Sequence, residues 1–227
     1  MPSKTVLCII PAYNAEPTVA GVVVGVRNTL PDAEILVIDD GSTDETRMVA
    51  RSVADHTIEF PGNQGKGAAL KAAFDFAVER GFETVLTIDA DGQHDPAFAP
   101  TMIRALDNAD IILGTREIGG RSVPIHRRIA NLISSAATRL VSGAQIHDSQ
   151  SGYRAIRTEV LRNVSARGSR YEYEMDFIIL AARKGYRIAE VPISTVYGTR
   201  TPSNFRAVRD AIRVLRVLWR HRAGAFR

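Results

Sequence analysis

Residues Thr84–Pro96 read TVLTIDADGQHDP, and this stretch decides the fold. Val85–Ile88 is short, apolar and rich in β-branched residues, so it is expected to be a buried strand. It runs straight into Asp89-Ala90-Asp91. In an extended chain residues i and i+2 point the same way, which would aim both carboxylates at one place. Two such carboxylates repel unless a cation lies between them, and hard oxygen ligands suit Mg²⁺ or Mn²⁺ completed by substrate phosphates. Gly92 lets the chain turn, and Asp95-Pro96 starts the next element. A strand ending in carboxylates and followed by a helix start fits one unit of an α/β protein, and the rest of the chain decides whether the unit repeats.

Outward from this stretch, the pattern repeats. Val6–Ile10 is an expected strand stopped by Pro11, followed by a helix over Thr18–Thr29. Glu34–Ile38 is a second strand ending in Asp39-Asp40-Gly41. Ser42-Thr43-Asp44-Glu45 fits a capping box opening a helix to about Val53. Thr57–Glu59 is a short strand. A glycine-rich loop over Gly62–Gly67 precedes a helix over Ala68–Arg80, closed by Gly81. A helix near Ala97–Leu106 and a strand over Asp110–Leu113 follow. Apolar strands alternating with helices predict βαβ units on a mostly parallel sheet, with ligands bound outside the carboxyl ends of the strands. Pro11–Glu16, Asp39-Asp40, Asn63–Gly67 and Asp89–Asp91 all fall at that edge.

After Gly114 the pattern changes. Arg116–Arg128 is arginine-rich and reads as a loop. Ile129–Val141 and Tyr171–Lys184 read as helices, and Gly152–Ile156 and Arg187–Val191 as strands, the last stopped by Pro192. In the final segment Phe205, Val208, Ile212, Leu215 and Trp219 recur at helical spacing. Arg206, Arg209, Arg213, Arg216 and Arg220 follow one residue on. That is a basic amphipathic helix, suited to packing on the domain or to lying on an anionic membrane.

Composition bounds the rest. The chain has 227 residues, 45% hydrophobic and 24% charged, with a net charge of +4, which is an ordinary globular balance. The single cysteine, Cys8, excludes an internal disulfide and a multi-cysteine metal cluster. No histidine spacing suggests zinc. No aromatic-interleaved basic repeat points to nucleic acid, so no nucleic-acid partner is expected. No leader is apparent, and no apolar run approaches the ~20 residues of a membrane span. A cytoplasmic protein, with at most a peripheral contact at the inner membrane face, is expected.

The ordered set PAYNAE (Pro11–Glu16), VIDDGSTDET (Val37–Thr46), NQGKGAA (Asn63–Ala69) and DADGQHDP (Asp89–Pro96) closely resembles the family 2 glycosyltransferases of the GT-A fold. SQSGYRAI (Ser149–Ile156) and AEVPI (Ala189–Ile193) are similar to the branch of dolichol-phosphate mannosyltransferases and polyprenyl-phosphate sugar synthases. The resemblance spans roughly residues 5–200, which implies one catalytic domain over 1–200 with residues 201–227 as its helical appendage. It implies a nucleotide-diphosphate sugar donor, of the GDP-mannose or UDP-glucose type, contacted by Pro11, Tyr13, Glu16, Asp39, Asp40, Lys66, Asp89 and Ala90. It implies a Mg²⁺ or Mn²⁺ ion on Asp89, Asp91 and Gln93, with His94 a neighbour. Arg116, Arg127 and Arg200 match arginines that hold an acceptor polyprenyl phosphate, with Arg121, Arg128 and Arg154 as substitutes. Asp91 and Arg127 would then act in catalysis.

Three further expectations rest on the residues themselves. Ser42 caps its helix, which leaves Asp39 and Asp40 free for ligand. The N–H groups around Gly65-Lys66-Gly67, with the lysine, can meet phosphate. The acids Glu172, Glu174 and Asp176 can supply a general base, Asp176 being the candidate, if the acceptor is a hydroxyl rather than a phosphate. A hydroxyl acceptor and, more remotely, a sugar-1-phosphate nucleotidyltransferase therefore stand as alternatives. The absence of Q-x-x-R-W argues against a processive polymerase.

Overall fold

The computed structural model describes residues 5–116, 138–139, 146–148 and 151–194. Its elements in chain order are β1 (Val6–Ala12), α1 (Val19–Thr29), β2 (Glu34–Asp39), α2 (Thr46–Val53), β3 (His56–Glu59), α3 (Lys66–Glu79) and β4 (Thr84–Thr87). A 3₁₀ turn over Pro96–Phe98 then leads into α4 (Ala99–Ala105) and β5 (Ile111–Arg116). The chain continues with β6 (Arg154–Arg157), α5 (Thr158–Asn163), α6 (Tyr171–Arg183) and β7 (Ile188–Ile193). The strands form one seven-stranded sheet in the order β3-β2-β1-β4-β6-β5-β7. Strands β3, β2, β1 and β4 are parallel, β6 is antiparallel to both β4 and β5, and β7 is parallel to β5.

Alternation along the strands builds two cores. Leu7 and Ile9 of β1, with Leu36, Ile38, Val85 and Ile156, pack against Leu70, Phe74, Phe177 and Ile178 of α3 and α6. Cys8 and Ile10, with Ile35, Val37, Leu86 and Ala155, pack against Val19, Val22, Val26 and Met102 of α1 and α4. Helices on both faces explain why the strands are continuous apolar runs rather than alternating ones. Cys8 is a core thiol, and burial holds its pKa far above the ordinary value, which makes it inert.

Four local expectations are corrected. Pro11 does not stop β1; it pairs in register with Ile38. The carbonyl of Ile9 accepts from Ile88 of the β4 side, so odd residues of β1 face that side. The β4 pairing ends at Ile9 and Thr87, so the N–H that Pro11 lacks has no ladder partner to lose. Pro192 likewise sits inside β7, an edge strand, opposite Thr115. The capping box does not form: α2 starts at Thr46, and Asp44, not Ser42, accepts both the N–H and the hydroxyl of Thr46. Finally, α3 begins at Lys66 rather than Ala68, and Thr158–Asn163 forms a short helix that the sequence pattern did not suggest.

The sheet order reverses between β1 and β4, because β2 lies on one side of β1 and β4 on the other. That switch point is where open α/β sheets leave a crevice at their carboxyl edge. Since β6 runs the opposite way, its approach, Ser151–Tyr153, comes to the same edge as the turn after β4. The basic helix expected over 205–220 lies outside the described residues, and so does most of the helix expected over Ile129–Val141.

Candidate active site

The loops after β1 and β2 are zipped together by backbone-to-side-chain bonds. Asn14 adopts a φ of 50°, which asparagine tolerates better than most residues. Its N–H donates to Ser42 Oγ at 2.9 Å, and its Oδ1 accepts the N–H of Thr43 at 2.9 Å. Ala15 N donates to Thr46 Oγ1 at 2.7 Å, and the Glu16 carboxylate accepts Glu45 N–H at 3.2 Å. Glu16 therefore braces the second loop, while Tyr13 beside it stays half-buried.

Asp39 and Asp40 are not free, contrary to expectation. Because Ser42 does not cap α2, Asp39 Oδ1 accepts the Ser42 N–H at 3.1 Å, and Oδ2 pairs with Arg47 at 3.1 Å. Asp40, 4% exposed, accepts the N–H groups of Gln64 at 2.7 Å and Gly65 at 2.9 Å. Burial raises its pKa, and the two N–H bonds oppose that rise. The anion cradled by this glycine-rich loop is thus the protein's own carboxylate. The N–H of Ala68, in the first turn of α3, donates to Gly65 O and Ser169 O. Alanine at Asp40 should leave two N–H groups without acceptors and cost about 2–4 kcal/mol of stability, read as a lower urea midpoint.

The glycines of Gly65-Lys66-Gly67 serve packing. Gly65 has a φ of +100°, and a Cβ there would sit 2.5 Å from Ser169 O. A Cβ on Gly67 would meet the Tyr173 Cβ at 2.6 Å and Arg170 O at 2.7 Å. The first turn of α3 is pressed against the start of α6, and this contact carries Lys66 to the β4 edge. Lys66 Nζ lies 2.7 Å from Asp89 Oδ1 and 3.3 Å from Glu174 Oε1. Burial disfavours the ammonium, but Asp89 and then Glu174 outweigh it and hold its pKa well above the ordinary lysine value, so Lys66 is charged.

The turn after β4 is held from three sides. The strand ends at Thr87, so Ala90 and Asp91 lie in a turn rather than in the extended alternation expected. The Ala90 side chain is buried, and its carbonyl accepts the Thr18 hydroxyl at 2.6 Å. Asp91 Oδ1 accepts the N–H of Gln93 at 3.0 Å, an Asx turn that sets its carboxylate. Gly92 takes a φ of +72°. His94 is buried with Nε2 3.9 Å from Asp89 Oδ2, a neighbour of the carboxylate. Opposite Asp89 stands Gly152: a Cβ there would lie 2.3 Å from Oδ2 and 2.5 Å from Oδ1. The Gly152 carbonyl is tied to the Thr87 hydroxyl at 2.8 Å. Among the described residues no three His, Cys, Asp or Glu side chains gather as a ready metal cage. Asp89 and Asp91 nevertheless fit a hard cation: Asp89 already draws a positive group to 2.7 Å, and substrate phosphate can supply the missing ligands.

The edge that carries these turns falls within one stretch of sequence. The model of glycosyl transferase family 2 matches residues 7–165, more than half of the chain. The chain belongs to glycosyl transferase family 2. An undecaprenyl-phosphate mannosyltransferase of Micrococcus luteus is 33% identical over 202 residues, covering 84% of this chain and 83% of that one. A polyprenol monophosphomannose synthase of Mycolicibacterium smegmatis is 34% identical, covering 85% of this chain and 78% of its own. A UDP-N-acetylglucosamine–dolichyl-phosphate N-acetylglucosaminyltransferase of Methanococcus voltae is 31% identical, covering 87% and 88%. Among solved structures, glucosyl-3-phosphoglycerate synthase of Mycobacterium tuberculosis superposes with a TM-score of 0.74 at 22% identity, over 96% of this chain and 80% of its own. That protein has also been crystallised with Mn²⁺, UDP and glucosyl-3-phosphoglycerate. The likeness establishes the GT-A fold here.

In this glycosyltransferase the acids of α6 divide their tasks differently from expectation. Asp176 is fully buried, and its carboxylate accepts the Arg167 N–H at 2.7 Å, bracing the 164–170 loop. Glu172 turns back toward the same loop, with Oε1 3.4 Å from the Ser169 N–H. Glu174 is the acid that α6 brings toward Asp89, through Lys66. Arg154, a candidate for acceptor phosphate, is a buried strut instead: Nε donates to Ser151 O at 2.8 Å, and Nη2 lies 3.5 Å from Glu174 Oε1. Gly152 stood out only as part of SQSGYRAI and Glu174 only as one of three neighbouring acids, since their importance lies in what they meet across the sheet edge. Arg116 closes β5. Arg127, Arg200, Arg121 and Arg128 lie outside the described residues.

Proposed function

We propose that this family 2 glycosyltransferase moves a hexose from a nucleotide-diphosphate sugar to a polyprenyl phosphate, with inversion, at the inner face of a membrane. The observation that carries this reading is the meeting of the β1, β2 and β3 turns, the Asp89–Asp91 turn and Gly152 at one sheet edge. The relatives named for polyprenyl and dolichyl phosphates point to the acceptor. Tyr13 offers a ring face to the nucleoside. Asp39 and Asp40, besides bracing the loops, keep acceptor capacity for base or ribose groups. Pro11 and Glu16 shape the wall beside them, and Ala90 holds the turn close to the donor. Asp89, Asp91 and Gln93 are the residues to hold Mg²⁺ or Mn²⁺. Such an ion neutralises the departing diphosphate.

The acceptor's phosphate oxygen forms the new bond to the anomeric carbon as the bond to the diphosphate oxygen breaks on the opposite side. A single displacement of this kind inverts the centre. A phosphate monoester, with its second pKa near ~6, is largely dianionic at neutral pH and needs orientation rather than a base. The engagement of Asp176 with Arg167 supports this acceptor over a hydroxyl. Arg116, Arg127 and Arg200 are proposed to grip the acceptor phosphate, and the basic helix over 205–220 to meet the lipid surface. Among the described residues no helix is long and apolar enough to cross a membrane.

The test is transfer into lipid. Purified protein with Mg²⁺ or Mn²⁺, a panel of GDP- and UDP-sugars and a polyprenyl phosphate should yield a lipid-phosphate-sugar by mass, and EDTA should suppress it at least tenfold. Sugar transfer to a hydroxyl acceptor, with none to the lipid phosphate, would overturn the acceptor.

A further inference from the structure

Two cations and two anions meet behind the Asp89 turn. Lys66 bridges Asp89 and Glu174 at 2.7 and 3.3 Å, and Arg154 lies 3.5 Å from the same Glu174 oxygen. Arg154 is anchored by carbonyls as well, donating to Ser151 O at 2.8 Å and Glu174 O at 3.3 Å, so it stays in place. Lys66 stands at the first residue of α3 with its charge on a four-carbon stem, free to exchange one carboxylate for another.

A bare divalent ion approaching Asp89 therefore meets a resident positive charge a few ångströms away. In a half-buried site that repulsion is large and poorly screened. A diphosphate arriving with the ion reverses the balance. Its negative oxygens neutralise the metal and accept hydrogen bonds from Lys66. Glu174 retains the lysine while it lets go of Asp89.

We propose that Lys66 is the resident counter-ion of Asp89, poised by Glu174, and that it makes this edge take a divalent ion and a nucleoside diphosphate together rather than the ion alone. This rests on the reading of Asp89 as a metal ligand. Lys66 meets the diphosphate itself in this scheme, and Glu174 is a positioning residue that acts through it. Linkage then requires that the diphosphate tighten metal binding and the metal tighten diphosphate binding by the same factor.

The experiment measures Mn²⁺ binding to the full chain by the paramagnetic resonance signal of the free ion, with and without UDP or GDP, and needs no turnover. Lys66→Met should bind Mn²⁺ alone about tenfold more tightly than the unaltered protein, and the further tightening by diphosphate should shrink by a similar factor. Glu174→Gln should act in the opposite direction, because Lys66 then has Asp89 as its remaining carboxylate; bare Mn²⁺ should bind about threefold or more weakly. A merely structural role for Lys66 would weaken binding in both variants. Equal or weaker Mn²⁺ binding in folded Lys66→Met overturns the counter-ion proposal while leaving the metal site standing. Mn²⁺ binding in neither protein, even with diphosphate, overturns the metal reading itself. If Glu174→Gln fails to fold, the Lys66→Met comparison still decides.

Discussion

Gly152→Ala is expected to lower transfer activity at least a hundredfold while the protein stays folded. The added Cβ would lie 2.3 Å from one Asp89 oxygen and 2.5 Å from the other, far inside contact distance. The backbone cannot retreat easily, because the Gly152 carbonyl is bonded to the buried Thr87 hydroxyl and β6 starts two residues on, paired to β4. Asp89 is the softer partner: it is about a quarter exposed and sits past the end of its strand. The carboxylate therefore shifts by about an ångström, a displacement that costs on the order of 10²-fold in a positioned site. The variant's thermal midpoint should change by only a few degrees. Transfer within threefold of the unaltered protein would mean that Asp89 need not stand where Gly152 lets it stand.

Asp91→Ala should remove turnover almost completely, by about 10³-fold or more, as expected when the ligand of an essential cation is lost. Alanine also deletes the acceptor of the Asx turn to Gln93 N. Asp91→Asn separates the two effects: the amide oxygen can still accept that N–H, but the negative charge is gone. Both variants should lose activity to a similar degree, while Asp91→Asn keeps the unfolding midpoint of the unaltered protein. Substantial transfer by Asp91→Asn would remove Asp91 from the metal set and leave it a turn residue.

The two experiments differ in how legible their targets were. Asp91 stood out because a strand of β-branched residues ends in two carboxylates and a glycine, a local pattern with a local cause. Gly152 lay inside SQSGYRAI, a stretch that by itself says nothing of what the glycine meets. Its meaning comes from β6, which runs antiparallel between β4 and β5 and delivers residue 152 to Asp89 from 63 positions away. The same holds for Asp40, whose partners Gln64 and Gly65 lie beyond two further elements. The local signal at Ser42 through Glu45 was misleading for a related reason. Asn14 and Glu16 from the neighbouring loop take up the Ser42 hydroxyl and the Glu45 N–H that a capping box would have used.

By itself, the sequence determined the α/β class, the succession of strands and helices through β4, and the gathering of polar turns at the carboxyl edge. These follow from periodicity and turn chemistry, which act over a few residues. Only the tertiary structure decided which charges meet: Lys66 with Asp89 and Glu174, Asp39 with Arg47, Asp176 with the 164–170 loop. Pairings of that kind depend on strand order and helix register, and on side chains competing for the same few donors. Spacing along the chain carries no record of that competition.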